Sequence, residues 1–369
     1  MKKGSVRQYF PGSNSCEGFY SLWDYNVNNL EKLIILKGGP GTGKSTFLSY
    51  VTKEMTARGH NTELLWCSSD ADSLDGVIFR DIGIGIVDGT APHLRDPKYP
   101  GVVDKLVNLG NFWNEELLLE SRTDIINLTD QNKELYRKTY AKMKEAKEYH
   151  DKLEQLYMEG MNWSAIDKMT DQLINDFFGA YPDNKDGGLV QEIRRFAGAS
   201  TPQGPVNYLD ELLSGATRKF ILKGRAGTGK STLTKKIAQA ANEKGFTVEY
   251  YHCSFDPHSI DNIYIPKLGI CLIDGTPPHE KDPGPDDTVL DMFKFMSEKV
   301  YRKNLSKIEE TDANYQHSFL ESLDILKECK AVHDELEKCY VKAMSFKEVD
   351  HVREMVLEEI LAFAGKLGV

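Results

Sequence analysis

The chain has 369 residues and a formal net charge of −10 at pH 7. That length suits two domains, each able to bury a core of its own, and the acidic balance argues against nucleic acid as a main partner, because phosphate backbones reward basic surfaces. No apolar run approaches the length of a membrane span, and the basic start Met1-Lys2-Lys3-Gly4-Ser5 leads into no apolar signal core. The six cysteines lie far apart with no C-x-x-C pair, which reads as reduced thiols in a cytoplasmic protein.

In chain order, a short apolar run at 33–36 leads into Gly38-Gly39-Pro40-Gly41-Thr42-Gly43-Lys44-Ser45, followed by Thr46. This fits the pattern G-x-x-x-x-G-K-[ST] in the strand–loop–helix context that the pattern requires. The glycines let consecutive backbone N–H groups curl around a triphosphate, and the following helix adds its positive end. Lys44 is expected to reach the β- and γ-phosphates of ATP, and Ser45 to hold Mg²⁺. A second apolar run at 63–67 ends at Cys67, with Asp70 just past it. A third, at 82–87, delivers Asp88 in the manner of a Walker B strand, whose carboxylate holds Mg²⁺ or its water. Thr90 and His93 follow. The residue after Asp88 is Gly89 rather than the glutamate that activates water in many ATP-driven motors, so Asp70 and His93 become the candidates for orienting a water or acceptor. Cys67 and His93 supply too few ligands for a metal site of their own, and Cys67 reads as packing.

The whole arrangement then recurs. A run at 220–222 precedes Gly224-Arg225-Ala226-Gly227-Thr228-Gly229-Lys230-Ser231, followed by Thr232, at an offset of 230 − 44 = 186. The same offset carries Cys67 to Cys253, Asp70 to Asp256, Asp88 to Asp274 and His93 to His279. Apolar runs at 248–253 and 268–273 match those of the first copy. The second copy therefore offers Asp256 and His279 as catalytic candidates, with Ser231 and Asp274 for Mg²⁺. Arg225, where the first loop has Gly39, adds a positive charge that either faces solvent or reaches the other site's γ-phosphate. Arg95 and Lys281 match and are read as solvated loop cations. Beyond the loops the chain is charged and helical in period over about 101–178 and 287–363. There His150-Asp151 matches His333-Asp334 at an offset of 183, a pair that reads either as a lid over the nucleotide or as an exposed helical pair.

A two-copy repeat of this length reads as domain duplication, with modules at 5–182 and 189–369 joined through the polar stretch 181–188. The expected fold is α/β: two P-loop NTPase domains with doubly wound, mainly parallel sheets, each bearing a large helical hairpin or bundle, packed as an intramolecular pseudo-dimer. The strings Leu36-Lys37-Gly38-Gly39-Pro40-Gly41-Thr42-Gly43-Lys44-Ser45-Thr46, Cys67-Ser68-Ser69-Asp70 and Asp88-Gly89-Thr90-Ala91-Pro92-His93, with their second copies, resemble a bacterial family of tandem P-loop ATPase-like proteins. The resemblance covers essentially the full length. It implies ATP binding and a cytoplasmic bacterial protein, and supplies no substrate. Three function classes follow: an ATPase with two nucleotide sites, a small-molecule kinase that uses its helices as a lid, and a nucleotide-loaded switch or scaffold with negligible turnover.

Overall fold

The computed structural model describes residues 3–182, 192–276 and 282–367. His279, Lys281 and most of the expected linker lie outside the described residues. The first half contains β1 (Val6–Tyr9), a hairpin of β2 (Gly12–Ser15) and β3 (Gly18–Ser21), α1 (Trp23–Val27), β4 (Lys32–Lys37), α2 (Lys44–Ala57), β5 (Thr62–Cys67), β6 (Asp70–Phe79), β7 (Ile84–Asp88), β8 (Asp104–Asn108), α3 (Glu115–Glu120), α4 (Arg122–Met158) and α5 (Trp163–Phe178). The second half runs through β9 (Glu192–Arg195), β10 (Gly198–Thr201), β11 (Gly204–Asn207), α6 (Leu209–Leu212), β12 (Arg218–Lys223), α7 (Lys230–Glu243), β13 (Val248–His252), β14 (Ile260–Ile265), β15 (Ile270–Asp274), β16 (Thr288–Asp291), α8 (Glu298–Val341) and α9 (Phe346–Leu367).

Two six-stranded, mostly parallel sheets result, ordered β1-β5-β6-β7-β4-β8 and β9-β13-β14-β15-β12-β16. One strand in each, β6 and β14, runs against its neighbours. Sequence reading passed over both. Residues 70–79 begin with Asp70, Asp72 and Asp75 and turn apolar only at their end, so no hydrophobic run announces a strand. The segments at 104–108 and 288–291, expected to open the helical regions, instead pair in parallel with β4 and β12. The helices begin at Glu115 and Glu298.

Both faces of β4 are buried, as in the central strands of parallel sheets. Ile34 and Leu36 face α2, meeting Phe47, Leu48 and Val51. Leu33 and Ile35 face inward and share a core with Ile221, Tyr251 and Ile273 of the other sheet. The halves are also joined main chain to main chain: Phe10 N donates to Phe196 O at 2.9 Å and Phe196 N to Phe10 O at 3.0 Å. These two residues are equivalent at the 186 offset, so the contact is self-complementary, as at a two-fold axis. Partly buried ion pairs bracket it. Arg7 forks onto Glu249 at 2.7 and 3.1 Å, Arg80 binds Glu63 at 2.9 Å, and the enclosed Arg195 guanidinium lies 4.0 Å from the Tyr9 ring centroid. Burial alone would raise the Glu63 carboxyl, but Arg195 and Arg80 outweigh it and hold it at about 2.

The closing helix of each half is exchanged. Val356, Leu357 and Ile360 of α9 complete the core of the first sheet with Leu36 and Phe47. Ile166, Phe177 and Phe178 of α5 complete that of the second with Leu222 and Leu233. The expected hairpin within each module does not form. Instead α4 packs against α8, Leu135 meeting Leu326 and Cys329 while Leu153 and Tyr157 meet Ile308, which makes the pair antiparallel. Trp113 bridges Met344 and Met161 bridges Met296, two contacts that interchange under the 183 offset. Among the described residues no helix is long and apolar enough to cross a membrane.

Truncating Ile360, fully buried in the first half's core though it belongs to the second half's last helix, should cost about 2–5 kcal/mol. Hydrogen exchange in the Ile360→Ala protein should therefore accelerate in β4 and α2 before it does in β12 and α7. Acceleration confined to the second half would contradict the exchange.

Candidate functional site

Each glycine-rich loop joins a buried strand to the helix behind it. Gly38, Gly41 and Gly43 take φ of 156°, 67° and 88°, and Gly224, Gly227 and Gly229 repeat them at 152°, 75° and 90°. L side chains rarely adopt these values, so the loop shape requires glycine. Thr42 and Thr228 tie each loop to itself by donating to the carbonyls of Gly39 and Arg225 at 2.9 and 2.7 Å. Helices α2 and α7 start at Lys44 and Lys230, so their unpaired first amides face the loop and favour an anion there.

The expected partners of these loops gather in both halves. Lys44 Nζ donates to the carbonyls of Gly38 and Gly39 at 3.1 and 2.8 Å and stands 3.6 Å from Asp88 Oδ2. Lys230 Nζ donates to the carbonyls of Gly224 and Arg225 and also stands 3.6 Å from its aspartate, Asp274. Ser45 Oγ accepts from Leu74 N at 3.0 Å and Ser231 Oγ from Ile260 N at 3.3 Å, so the antiparallel strands β6 and β14 position both hydroxyls. Asp88 Oδ1 accepts from Thr90 N at 2.8 Å, and Asp274 Oδ1 from Thr276 N at 3.0 Å. Thr46 and Thr232 line the respective cavities.

Strand β6 also brings a carboxylate that sequence reading missed. Asp75, Asp88 and His93 offer ligand atoms within 4.8 Å of one another. Asp75 and Asp88 with Ser45 make an oxygen-rich set suited to Mg²⁺. The equivalent of Asp75 is Asp261, whose carboxyl is pushed well above the usual range by burial and then by the neighbouring Asp274 charge. A signal existed, since the 186 offset preserves this aspartate, but it stands apart from every motif. Cys67 lies beside Asp75, and Cys253 beside Asp261. Burial raises both thiols well above their ordinary value, so the repeated cysteines are protonated supports of those carboxylates.

His93 is buried, with Nε2 3.1 Å from Asp75 Oδ2. Asp70 and Asp256 do not stand free: each meets a lysine of the opposite half, Lys330 at 3.4 Å and Lys147 at 3.6 Å. Arg95 turns away to pair with Asp24 at 3.0 Å. Arg225 lines the second cavity, and among the described residues lining the first it is not found. A reach across to the first site is therefore not the arrangement seen.

The opposite half also covers each loop. The end of α8 lies over the first: a side chain at Gly41 would meet Glu337 O at 2.8 Å, and Gly41 N donates to Glu337 Oε1 at 3.3 Å. The end of α4 lies over the second, where a side chain at Gly227 would collide with the Glu154 carbonyl. His333 stands 3.5 Å from Glu337 and lines the first cavity, while His150 and Glu154 line the second. The histidines of the repeated His-Asp pairs thus line the cavity at the loop of the other half, while Asp151 and Asp334 pair with Lys147 and Lys330 of their own helices. The hydrogen bond from His333 is the main cause that lowers the Glu337 carboxyl. The cavities differ in size, about 1120 Å³ over the first loop and 480 Å³ over the second.

Burial alone would lower the His93 imidazole, but the charge and hydrogen bond of Asp75, with Asp88, raise it from 6.5 to about 9. Protonated His93 therefore stabilises the fold fully below pH 6.5, and this contribution is lost as pH rises through about 9. In metal-free protein the urea midpoint of wild type should exceed that of His93→Gln most at about pH 6 and converge with it by about pH 10. A gap that widens with pH would reverse the assignment.

No protein-family model, curated protein or solved structure matches the chain.

Proposed function

We propose that the protein is a Mg²⁺-dependent ATP-binding protein and an ATPase with two nucleotide sites, held in an intramolecular pseudo-dimer of duplicated P-loop domains. The observation that carries this reading is one geometry built twice. Three positive-φ glycines precede a helix that starts at a lysine, and each lysine amine stands 3.6 Å from the aspartate ending the adjacent strand. Backbone amides and the helix end suit the triphosphate, and the aspartate and serine suit its metal. Lys44 and Lys230, held by loop carbonyls, have only to turn toward the phosphates.

Catalysis then rests on placing a nucleophile in line with the γ-phosphate and neutralising the charge that spreads over its oxygens. In the first site Asp70 and His93 orient the water, and Lys330 fixes the Asp70 carboxylate. In the second, Asp256 and Lys147 make the matching pair. Both lysines come from the half opposite the loop they serve, so a complete site needs both halves.

A fluorescent ATP analogue with Mg²⁺ should bind with a stoichiometry near two, falling to one in Lys44→Ala and in Lys230→Ala. Wild-type stoichiometry in both variants would remove the loops from nucleotide binding. Asp88→Asn and Asp274→Asn should each weaken Mg²⁺ affinity at one site by at least about tenfold, the loss typical of a disturbed metal site. Asp70→Asn should lower single-turnover hydrolysis more than it lowers ATP affinity, as for a contact made mainly in the transition state. A fall in affinity alone would make Asp70 a binding residue.

A further inference from the structure

The two cavities share one framework but not one size. Small-molecule sites occupy about 300–1,000 Å³. The second cavity, at 480 Å³, fits that range for a single ligand, whereas the first, at 1120 Å³, exceeds it. Helix α4 lines the first cavity with Asn132, Lys133, Tyr136, Arg137 and Tyr140. Lys133 and Arg137 are one turn apart on the same face of α4, and both line the cavity. Arg137 is held in place by Glu134 at 2.6 and 2.8 Å, and among the described residues Lys133 makes no ion pair. Beside them the Asn132 Oδ1 atom is buried with no hydrogen-bond partner, an acceptor left open for a donor.

The second half provides an internal comparison. At the 183 offset the positions of Lys133 and Arg137 are taken by Gln316 and Leu320, and Asn132 becomes Tyr315. The corresponding wall of the second cavity is Asp312, Tyr315, Gln316 and Phe319, which carries no cation. Helix packing does not call for the difference, because Met143 and Leu326, equivalent positions on the same two helices, are both fully buried.

We infer that the first cavity contains, beside the nucleotide, a subsite for a second small molecule bearing an oxyanion, a phosphate or carboxylate group gripped by Lys133 and Arg137, with a hydroxyl or amino donor turned to Asn132. The subsite rests on the nucleotide reading of the first loop and gives that site a ligand class that the second site lacks. The Lys133 ammonium and the Nη1 side of Arg137, which Glu134 leaves over, lie on one helix face and match such a group in charge.

The test uses the full chain, saturated with Mg²⁺ and a non-hydrolysable ATP analogue so that both loops are filled. Inorganic phosphate and, separately, succinate are titrated by calorimetry. One equivalent of one of these anions should bind, phosphate binding marking a phosphate-bearing ligand and succinate binding a carboxylate. In Lys133→Gln/Arg137→Gln the affinity should fall about tenfold to a hundredfold, as for loss of charge-assisted hydrogen bonds. Gln316→Ala, the same test on the second cavity, should leave anion affinity unchanged. Absence of anion binding to wild type, or equal affinity in wild type and the double variant, would overturn the subsite. So would a matching loss of affinity for the analogue in the double variant, which would make the two cations nucleotide contacts. If the analogue itself fails to bind wild type, the nucleotide reading falls. The Lys44→Ala/Lys230→Ala chain then reports the subsite separately, through anion binding that still depends on Lys133 and Arg137.

Discussion

Ile360 lies in the same core as Leu36, and Phe178 in the same core as Leu222, so each half is closed by a helix that belongs to the other. The rest of the arrangement follows from this exchange. To deliver α5 to the second sheet, α4 must run the distance between the halves; at 37 residues it is about 55 Å long. Its end then comes to rest on the loop it has reached, as the end of α8 does on the other. The glycines at Gly41 and Gly227 thus answer two demands, a left-handed backbone and the near contact of a foreign helix backbone. A side chain at either would strain the loop and push away the helix that closes the site.

The legible part of the sequence was the part whose chemistry is local. A loop that cradles phosphate needs its glycines, lysine and serine in one short string, and a buried strand ending in aspartate announces itself by its apolar run. The structure brings those residues together as that pattern implies. Asp75 was passed over because it joins the site through the pairing of β6 with β7, so that apart from its recurrence as Asp261 nothing in the sequence ties it to the motifs. Strands β6 and β14 were hidden for a related reason: residues that face a polar site cannot be apolar, so the strand signal is weakest where the function is densest. The exchange of helices was hidden by symmetry. Two halves of one pattern present similar apolar stripes whether a helix folds onto its own sheet or onto its neighbour's. Only the unbroken length of α4 and α8, which carries α5 and α9 away from their own sheets, separates the two outcomes.

The interface between the sheets mixes a hydrophobic core with buried carboxylates, and these are met by arginines. Glu63 is met by Arg80 and Arg195, and Glu249 by Arg7. Such pairs add little net stability over apolar residues, yet breaking one leaves a buried charge without compensation. They therefore fix the relative position of the halves more than they strengthen it. That position decides whether Lys330 reaches Asp70 and Lys147 reaches Asp256, so the polar cluster on one side of the molecule sets the register of both cavities.

The exchange also bears on how the chain is made. Leu36 and Ile360 are 360 − 36 = 324 positions apart, yet one core needs both. A ribosome delivers the first sheet long before it delivers the helix that covers it, and delivers α5 before the sheet that α5 is to cover. Domains usually fold in turn as they emerge. Here the first half must wait with the outer face of Ile34, Leu36 and Val51 unsealed, and α5 must wait with Phe177 and Phe178 unburied. Nascent chains of this protein therefore present two apolar surfaces to chaperones: that of α5 until the second sheet has been made, and that of the first sheet until α9 has been made.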